Sequence, residues 1–116
     1  MKTVTYDIVD VRNNATFRKI FSLKSSVTDN LYDFYGHVGD MQVKNGDGEV
    51  VLQFSTTDDT ISVDSSSKRI TLFQTESVMN TIDPGSYVYD LRFTDDDGTE
   101  VPVKGKFKVV AGVTDD

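Results

Sequence analysis

Apolar and polar residues alternate along most of this chain, in runs short enough to be β-strands. The clearest run is Ser86–Thr94, where every second side chain is apolar: Tyr87, Tyr89, Leu91 and Phe93. A period of two residues is the repeat of a strand with one buried and one solvated face. The pattern therefore predicts a half-buried strand in this segment.

The same alternation predicts further strands, separated by clusters of Gly, Asp, Asn and Ser. Their ranges are Thr3–Val11, Ala15–Leu23, His37–Lys44, Glu49–Ser55, Thr60–Val63, Arg69–Phe73 and Glu100–Val110. In the first of them, the alternation places Val4, Tyr6 and Ile8 on one face. Asn45-Gly46-Asp47-Gly48 predicts a tight hairpin turn, because these residues tolerate positive φ angles. A helical turn is predicted only at Glu76–Ile82, which ends before Pro84.

These elements predict an all-β fold, an immunoglobulin-like antiparallel β-sandwich of seven to eight strands with one short helical turn. An up-and-down barrel is the alternative. The polar segment Lys24–Asp33 and the helical turn favour the sandwich, because both are typical of crossings between sheets. The 116 residues predict a single domain, 1–116, with 113–116 as a flexible tail.

Tyr87 is predicted to form a structural tyrosine corner. It follows the Asp83-Pro84-Gly85 turn at the start of a late strand, which is where immunoglobulin-type sandwiches place such a tyrosine. Its hydroxyl would bond back to the loop backbone. The cysteine position of those domains, two residues further on, is Tyr89 here. Aromatic packing is therefore expected in place of a disulfide.

Composition and charge narrow the function classes. The net charge of −7 repels phosphate backbones and anionic membranes, so we expect neither a nucleic-acid nor a membrane partner. The chain has no cysteine and a single histidine, His37, which rules out thiolate and two-histidine metal sites. No secretory signal or membrane-spanning run is present, so we expect synthesis in the cytoplasm.

The acidic cluster Asp95-Asp96-Asp97-Gly98 raises the question of a metal site. A calcium loop built around Gly98 would place its first and last ligands at Phe93 and Lys104, and neither residue supplies a carboxylate. Asp-Gly is also a strong hairpin signal. We therefore predict a turn here, with no metal, no cofactor, no catalytic residue and no enzymatic activity.

Two groups of residues are candidate interfaces. Lys104, Lys106 and Lys108 share one face of the last strand, where they either guard a terminal edge strand against aggregation or contact an acidic neighbour. The second group is the aromatic segment with Tyr32, Phe34 and Tyr35. These aromatic side chains either close one end of the core or contact a ligand.

The C-terminal half, about residues 50 to 114, resembles the immunoglobulin-like N-terminal domain of phage baseplate upper proteins and related small phage tail structural proteins. The resemblance rests on a strand pair, a helical turn, an aromatic strand start, an acidic turn and a closing strand. In order these are Thr60–Val63 with Arg69–Phe73, Glu76–Ile82, Gly85-Ser86-Tyr87-Val88-Tyr89-Asp90-Leu91, Asp95–Gly98, and Gly105-Lys106-Phe107-Lys108-Val109-Val110 leading into Gly112-Val113-Thr114.

This resemblance implies a non-enzymatic bacteriophage virion structural protein, an adaptor of the tail, baseplate or neck that binds other virion proteins. It implies localisation in the virion after synthesis in the host cytoplasm, with a homo-oligomer in the particle as a further option. Docking is expected through exposed sheet edges at Thr3–Val11 and Glu100–Val110. The alternative is a carbohydrate- or host-surface-binding module that uses the aromatic segment.

Overall fold

A computed structural model describes residues 3–24 and 30–111. In chain order the elements are β1 (Val4–Thr5), β2 (Ile8–Arg12), β3 (Phe17–Phe21), β4 (Val38–Lys44), β5 (Val50–Ser55), β6 (Ile61–Val63), β7 (Ile70–Gln74), α1 (Glu76–Met79), β8 (Gly85–Asp95) and β9 (Gly98–Val110). The predicted tail, 113–116, lies outside these residues. No helix in the described part of the chain is long and apolar enough to span a membrane.

The strands form two sheets that pack as a sandwich. The larger sheet has the order β1-β9-β8-β4-β5, with β2 also paired to β9, and the smaller sheet has the order β3-β7-β6. This is the strand arrangement of an immunoglobulin-like fold, so the predicted fold class is confirmed. The pairings of β1 and β2 with β9 are parallel, which makes the larger sheet mixed rather than purely antiparallel.

The first predicted strand is divided into β1 and β2, and the described residues therefore contain nine strands. The register against β9 shifts between Ile8 and Val11, and Asp10 adopts a left-handed φ of 59° in this bulge. Val4 and Ile8 lie opposite Val103 and Phe107, two buried residues of β9, so these two share a face as the alternation predicts. Val4 and Tyr6, near the edge of the larger sheet, are 49% and 46% exposed, whereas Ile8 is buried.

Aromatic side chains fill the space between the sheets. Phe17 of the smaller sheet contacts Phe54 and Phe107 of the larger sheet edge-on, with ring centroids 5.7 and 5.6 Å apart. The alternation predicted for β8 is confirmed, since Tyr89, Leu91 and Phe93 are buried there. Burial of such large apolar side chains is the main stabilising contribution in a domain that has no disulfide.

The helical turn is shorter than predicted. Thr75 caps α1 by accepting a hydrogen bond from the Val78 amide on its side chain. The helix ends at Met79 and not at Ile82, because the amides of Thr81 and Ile82 donate to the carbonyls three residues earlier. Bonds of that spacing tighten the chain into turns, and the chain then enters β8.

Candidate functional site

Tyr87 lies where the tyrosine corner requires it. Its hydroxyl donates a hydrogen bond of 2.5 Å to the backbone carbonyl of Asp83, four residues earlier. Partial burial, followed by the nearby Asp83 carboxylate, raises the pKa of the Tyr87 hydroxyl. The bond fixes the turn before β8 and has a structural role.

Tyr89 forms a second, longer-range connection. This buried side chain donates a hydrogen bond from its hydroxyl to the backbone carbonyl of Tyr6, in the connection between β1 and β2. The same carbonyl lies directly over Gly105, where a Cβ would collide with it. Tyr89 and Gly105 together position the N-terminal strands beside β9.

The aromatic segment does not form an exposed platform. Phe34 is buried and stacks on Phe93, with ring centroids 4.4 Å apart, and Tyr32 is half-buried beside it. Tyr35 is 62% exposed and is the only one of the three predicted aromatic contacts that faces solvent. The stacked pair therefore closes one end of the core.

A cleft of about 530 Å³ lies at that same end of the sandwich. His37 Nε2 lies 3.2 Å from Asp95 Oδ2 across its wall. The other oxygen of Asp95 accepts the Asp97 amide of the β8–β9 turn. Phe34 and Phe93 are only 4% and 2% exposed, so they present little ring surface to a ligand. Through these contacts, Asp95 connects His37 with the β8–β9 turn.

The acidic cluster is the hairpin turn that the sequence predicts. Asp95 pairs with Gly98, and the two residues between them form the turn. Gly98 has a φ of 131°, a conformation that favours glycine. Within residues 3–24 and 30–111, no group of three or more His, Asp or Glu side chains is placed to hold a metal ion.

The predicted lysines lie on the solvent-facing side of the larger sheet, with a fourth lysine beside them. Lys104, Lys106 and Lys108 are all exposed. Val88 is directly opposite Lys106 on one side and Lys44 on the other. We call the set formed by Lys44, Lys104, Lys106 and Lys108 the lysine face. Sequence reasoning missed Lys44, because the pairing of β4 with β8 brings it near residues more than 60 positions away.

Charges around the lysine face are unevenly distributed. Asp90 is opposite Lys104, the Asp7 carboxylate accepts the backbone amide of Lys106 at 2.9 Å, and Asp40 is paired with Arg92 at 2.9 Å. None of the four lysines forms an ion pair with another described residue. Val88 stands among them with 55% of its surface exposed. The centre of this face is therefore basic and partly apolar on an acidic protein.

The last strand is not an edge strand, contrary to the expectation for Glu100–Val110. β9 lies between β8 on one side and β1 and β2 on the other. The first segment, Thr3–Val11, does lie at the edge, but the bulge at Asp10 interrupts it. Bulges of this kind protect edges against pairing with another chain.

The other edges are also protected. Lys19 of β3 occupies an inward position between Phe17 and Phe21, and its Nζ donates to the Tyr6 hydroxyl at 2.8 Å. An inward charge on an edge strand disfavours docking of a further strand. The edge strand β6 has only three residues.

Side chains cover the backbone of β5, the remaining edge. The Gln74 amide donates to the Gln53 carbonyl at 2.7 Å, and the Thr60 hydroxyl accepts from the Ser55 amide at 2.7 Å. These contacts occupy groups that an added strand would otherwise use. Docking through the sheet edges, the mechanism expected from the sequence, is therefore disfavoured at every edge described.

Similarity of this chain to known proteins is found among solved structures. No family model and no curated protein matches the chain. Among solved structures, the chain is similar to the crystal structure of CopC from Methylosinus trichosporium OB3b. The TM-score is 0.46 and the identity is 18%, over 93% of this chain and 96% of that chain. At this level of similarity, no ligand or activity is transferred from CopC to the present chain.

The predicted function as a bacteriophage virion structural protein is contradicted by these findings. A solved structure similar to the chain is that of CopC, and neither a family model nor a curated protein connects the chain with phage tail or baseplate proteins. The resemblance to the baseplate family and the virion localisation are not tested by these comparisons.

Proposed function

We propose that this chain is a non-enzymatic binding module that docks an acidic protein surface onto its lysine face. The observation that supports this proposal most directly is the position of β9 inside the larger sheet. Lysines on an edge strand are explained by protection against aggregation. Lys104, Lys106 and Lys108 have no edge to protect, so their clustering with Lys44 calls for another explanation.

Electrostatics favour an acidic partner over a second copy of this face. Two copies placed face to face would bring lysines against lysines, and like charges in an interface disfavour association. An acidic partner surface instead complements the lysine face. The chain as a whole carries a net charge of −7, so its surface outside the lysine face would repel that partner and so restrict where it docks.

The proposal involves binding without a reaction. His37, the residue type most often used for proton transfer, lies against Asp95 and joins the start of β4 to the β8–β9 turn. The exposed Val88 adds an apolar contact at the centre of the face, as is usual where a charged rim surrounds an interface.

The test is a titration with decaglutamate peptide at low ionic strength, followed by NMR of the backbone amides. We expect shifts centred on β8 and β9, and an affinity that falls as salt is added. Lys106→Glu should abolish the binding. Arg69→Glu is the matched control, since it makes the same charge reversal at an exposed site before β7 and should bind normally. Absence of binding, or equal loss in both variants, would refute the proposal.

A further inference from the structure

Three lysines of the lysine face follow a regular spacing. Lys104, Lys106 and Lys108 occupy alternate positions of one strand and are all exposed. Alternate residues of a strand are about 6.8 Å apart and project from the same face, so the three lysines form a row along β9. We propose that this row binds an extended acidic segment with Asp or Glu at every second residue, an inference that rests on the proposed function.

An extended segment matches this row because it has the same repeat. Its alternate side chains also project from one face at intervals of about 6.8 Å, so successive carboxylates meet successive lysines. In an α-helix, carboxylates four residues apart advance about 6.0 Å and rotate by about 40° at each step. A helix therefore loses register with the row, and its third carboxylate turns away from the sheet.

The surroundings of the row place the contact toward one end of it. Asp90 lies opposite Lys104 and the Asp7 carboxylate accepts the backbone amide of Lys106, so both weaken the positive field at those positions, whereas Lys108 is opposite Ser86. A segment that lies over Lys106 and Lys108 would also cover Val88, which is opposite Lys106 and exposed. The methylene groups of glutamate side chains can pack on that valine while their carboxylates reach the lysines.

Two peptides of identical composition test the spacing. One alternates Glu and Ser along its length, and the other has the same residues as a Glu block followed by a Ser block. Both are titrated into the full chain, and dissociation constants are measured by calorimetry. The alternating peptide should bind roughly 2-fold to 30-fold more tightly, the effect of two additional surface ion pairs in register. Lys106→Gln should remove this preference, and Arg69→Gln should preserve it.

The outcomes separate this inference from the proposed function. Equal affinity of the two peptides, with both lost in Lys106→Gln, overturns the spacing and leaves the acidic-surface proposal standing. Failure of both peptides and of decaglutamate to bind overturns both. Tighter binding of a heparin oligosaccharide or a DNA duplex than of the alternating peptide, with the same sensitivity to Lys106→Gln, overturns the assignment of a polypeptide ligand.

Discussion

Replacing Tyr89 by phenylalanine removes one hydroxyl group from the interior and leaves the ring in place. The hydroxyl donates to the Tyr6 carbonyl, 83 positions away in the chain. It is the side-chain hydrogen bond that ties the β1–β2 connection to β8. Tyr89→Phe therefore tests whether this contact holds the N-terminal strands against β9.

The expected loss of stability is about 1 kcal/mol. Removing a partner from a buried carbonyl costs about 1–3 kcal/mol, but Tyr6 lies at the surface, where water can replace the lost donor and bring the value to the lower limit. For a domain of this size, that corresponds to a fall in melting temperature of about 4 °C.

The same variant should alter the stability at high pH. Burial, followed by the nearby Asp7 carboxylate and Tyr6, raises the pKa of the Tyr89 hydroxyl above its ordinary value of 10.0. Above that ordinary value the unfolded chain releases this proton while the folded chain retains it, so the stability from Tyr89 is complete below pH 10 and declines as the pH rises further. Tyr89→Phe lacks this decline.

Urea denaturation followed by circular dichroism, repeated from neutral to strongly alkaline pH, measures both effects. Tyr35→Phe is the matched control, because it removes the same hydroxyl from a side chain that is 62% exposed and should change stability by less than about 0.5 kcal/mol. The reasoning is refuted if Tyr89→Phe is as stable as the native chain at neutral pH. It also fails if the stability difference between the two proteins stays constant above pH 10.

Three further predictions concern the strand connections and edges. Gly105→Ala should lower the melting temperature, because the added Cβ collides with the backbone of the β1–β2 connection. The control is Gly46→Ala, whose Cβ meets no atom within 4 Å and which should shift the melting temperature much less. Equal shifts in the two variants would contradict this packing. The Thr60 hydroxyl lowers the pKa of the Asp58 carboxyl by hydrogen bonding to it, so Thr60→Val should raise that pKa toward 3.8. An NMR titration measures this pKa, and an unchanged value would show that the Thr60–Asp58 hydrogen bond is unimportant. Lys19→Leu removes the inward charge from the edge strand β3 and should produce concentration-dependent association in sedimentation velocity. Lys19→Arg keeps the charge and should behave as the native chain. A leucine variant that sediments like the native chain would show that Lys19 does not protect this edge against association.

Local sequence was sufficient to predict the strands, the turns and the orientation of most side chains. The alternation in Ser86–Thr94 identified the buried face of β8, and Asp-Gly at Gly98 identified the β8–β9 hairpin, because both depend on neighbouring residues. The Tyr87 corner was also predictable, since its hydrogen bond spans only four residues. Each of these features arises from contacts within a few positions.

Strand neighbours came from the tertiary structure alone. Alternation states which side of a strand is buried but not which strand lies beside it, because pairing depends on packing between distant segments. Because β1 and β2 pair with β9 in parallel, β9 is an interior strand and not the edge strand that the sequence predicted. The pairing of β4 with β8 places Lys44 near Lys106. The inward position of Lys19 became meaningful only when β3 proved to be an edge. The lysine face is therefore a property of the sheet order, to which the individual strands contribute only their exposed side chains.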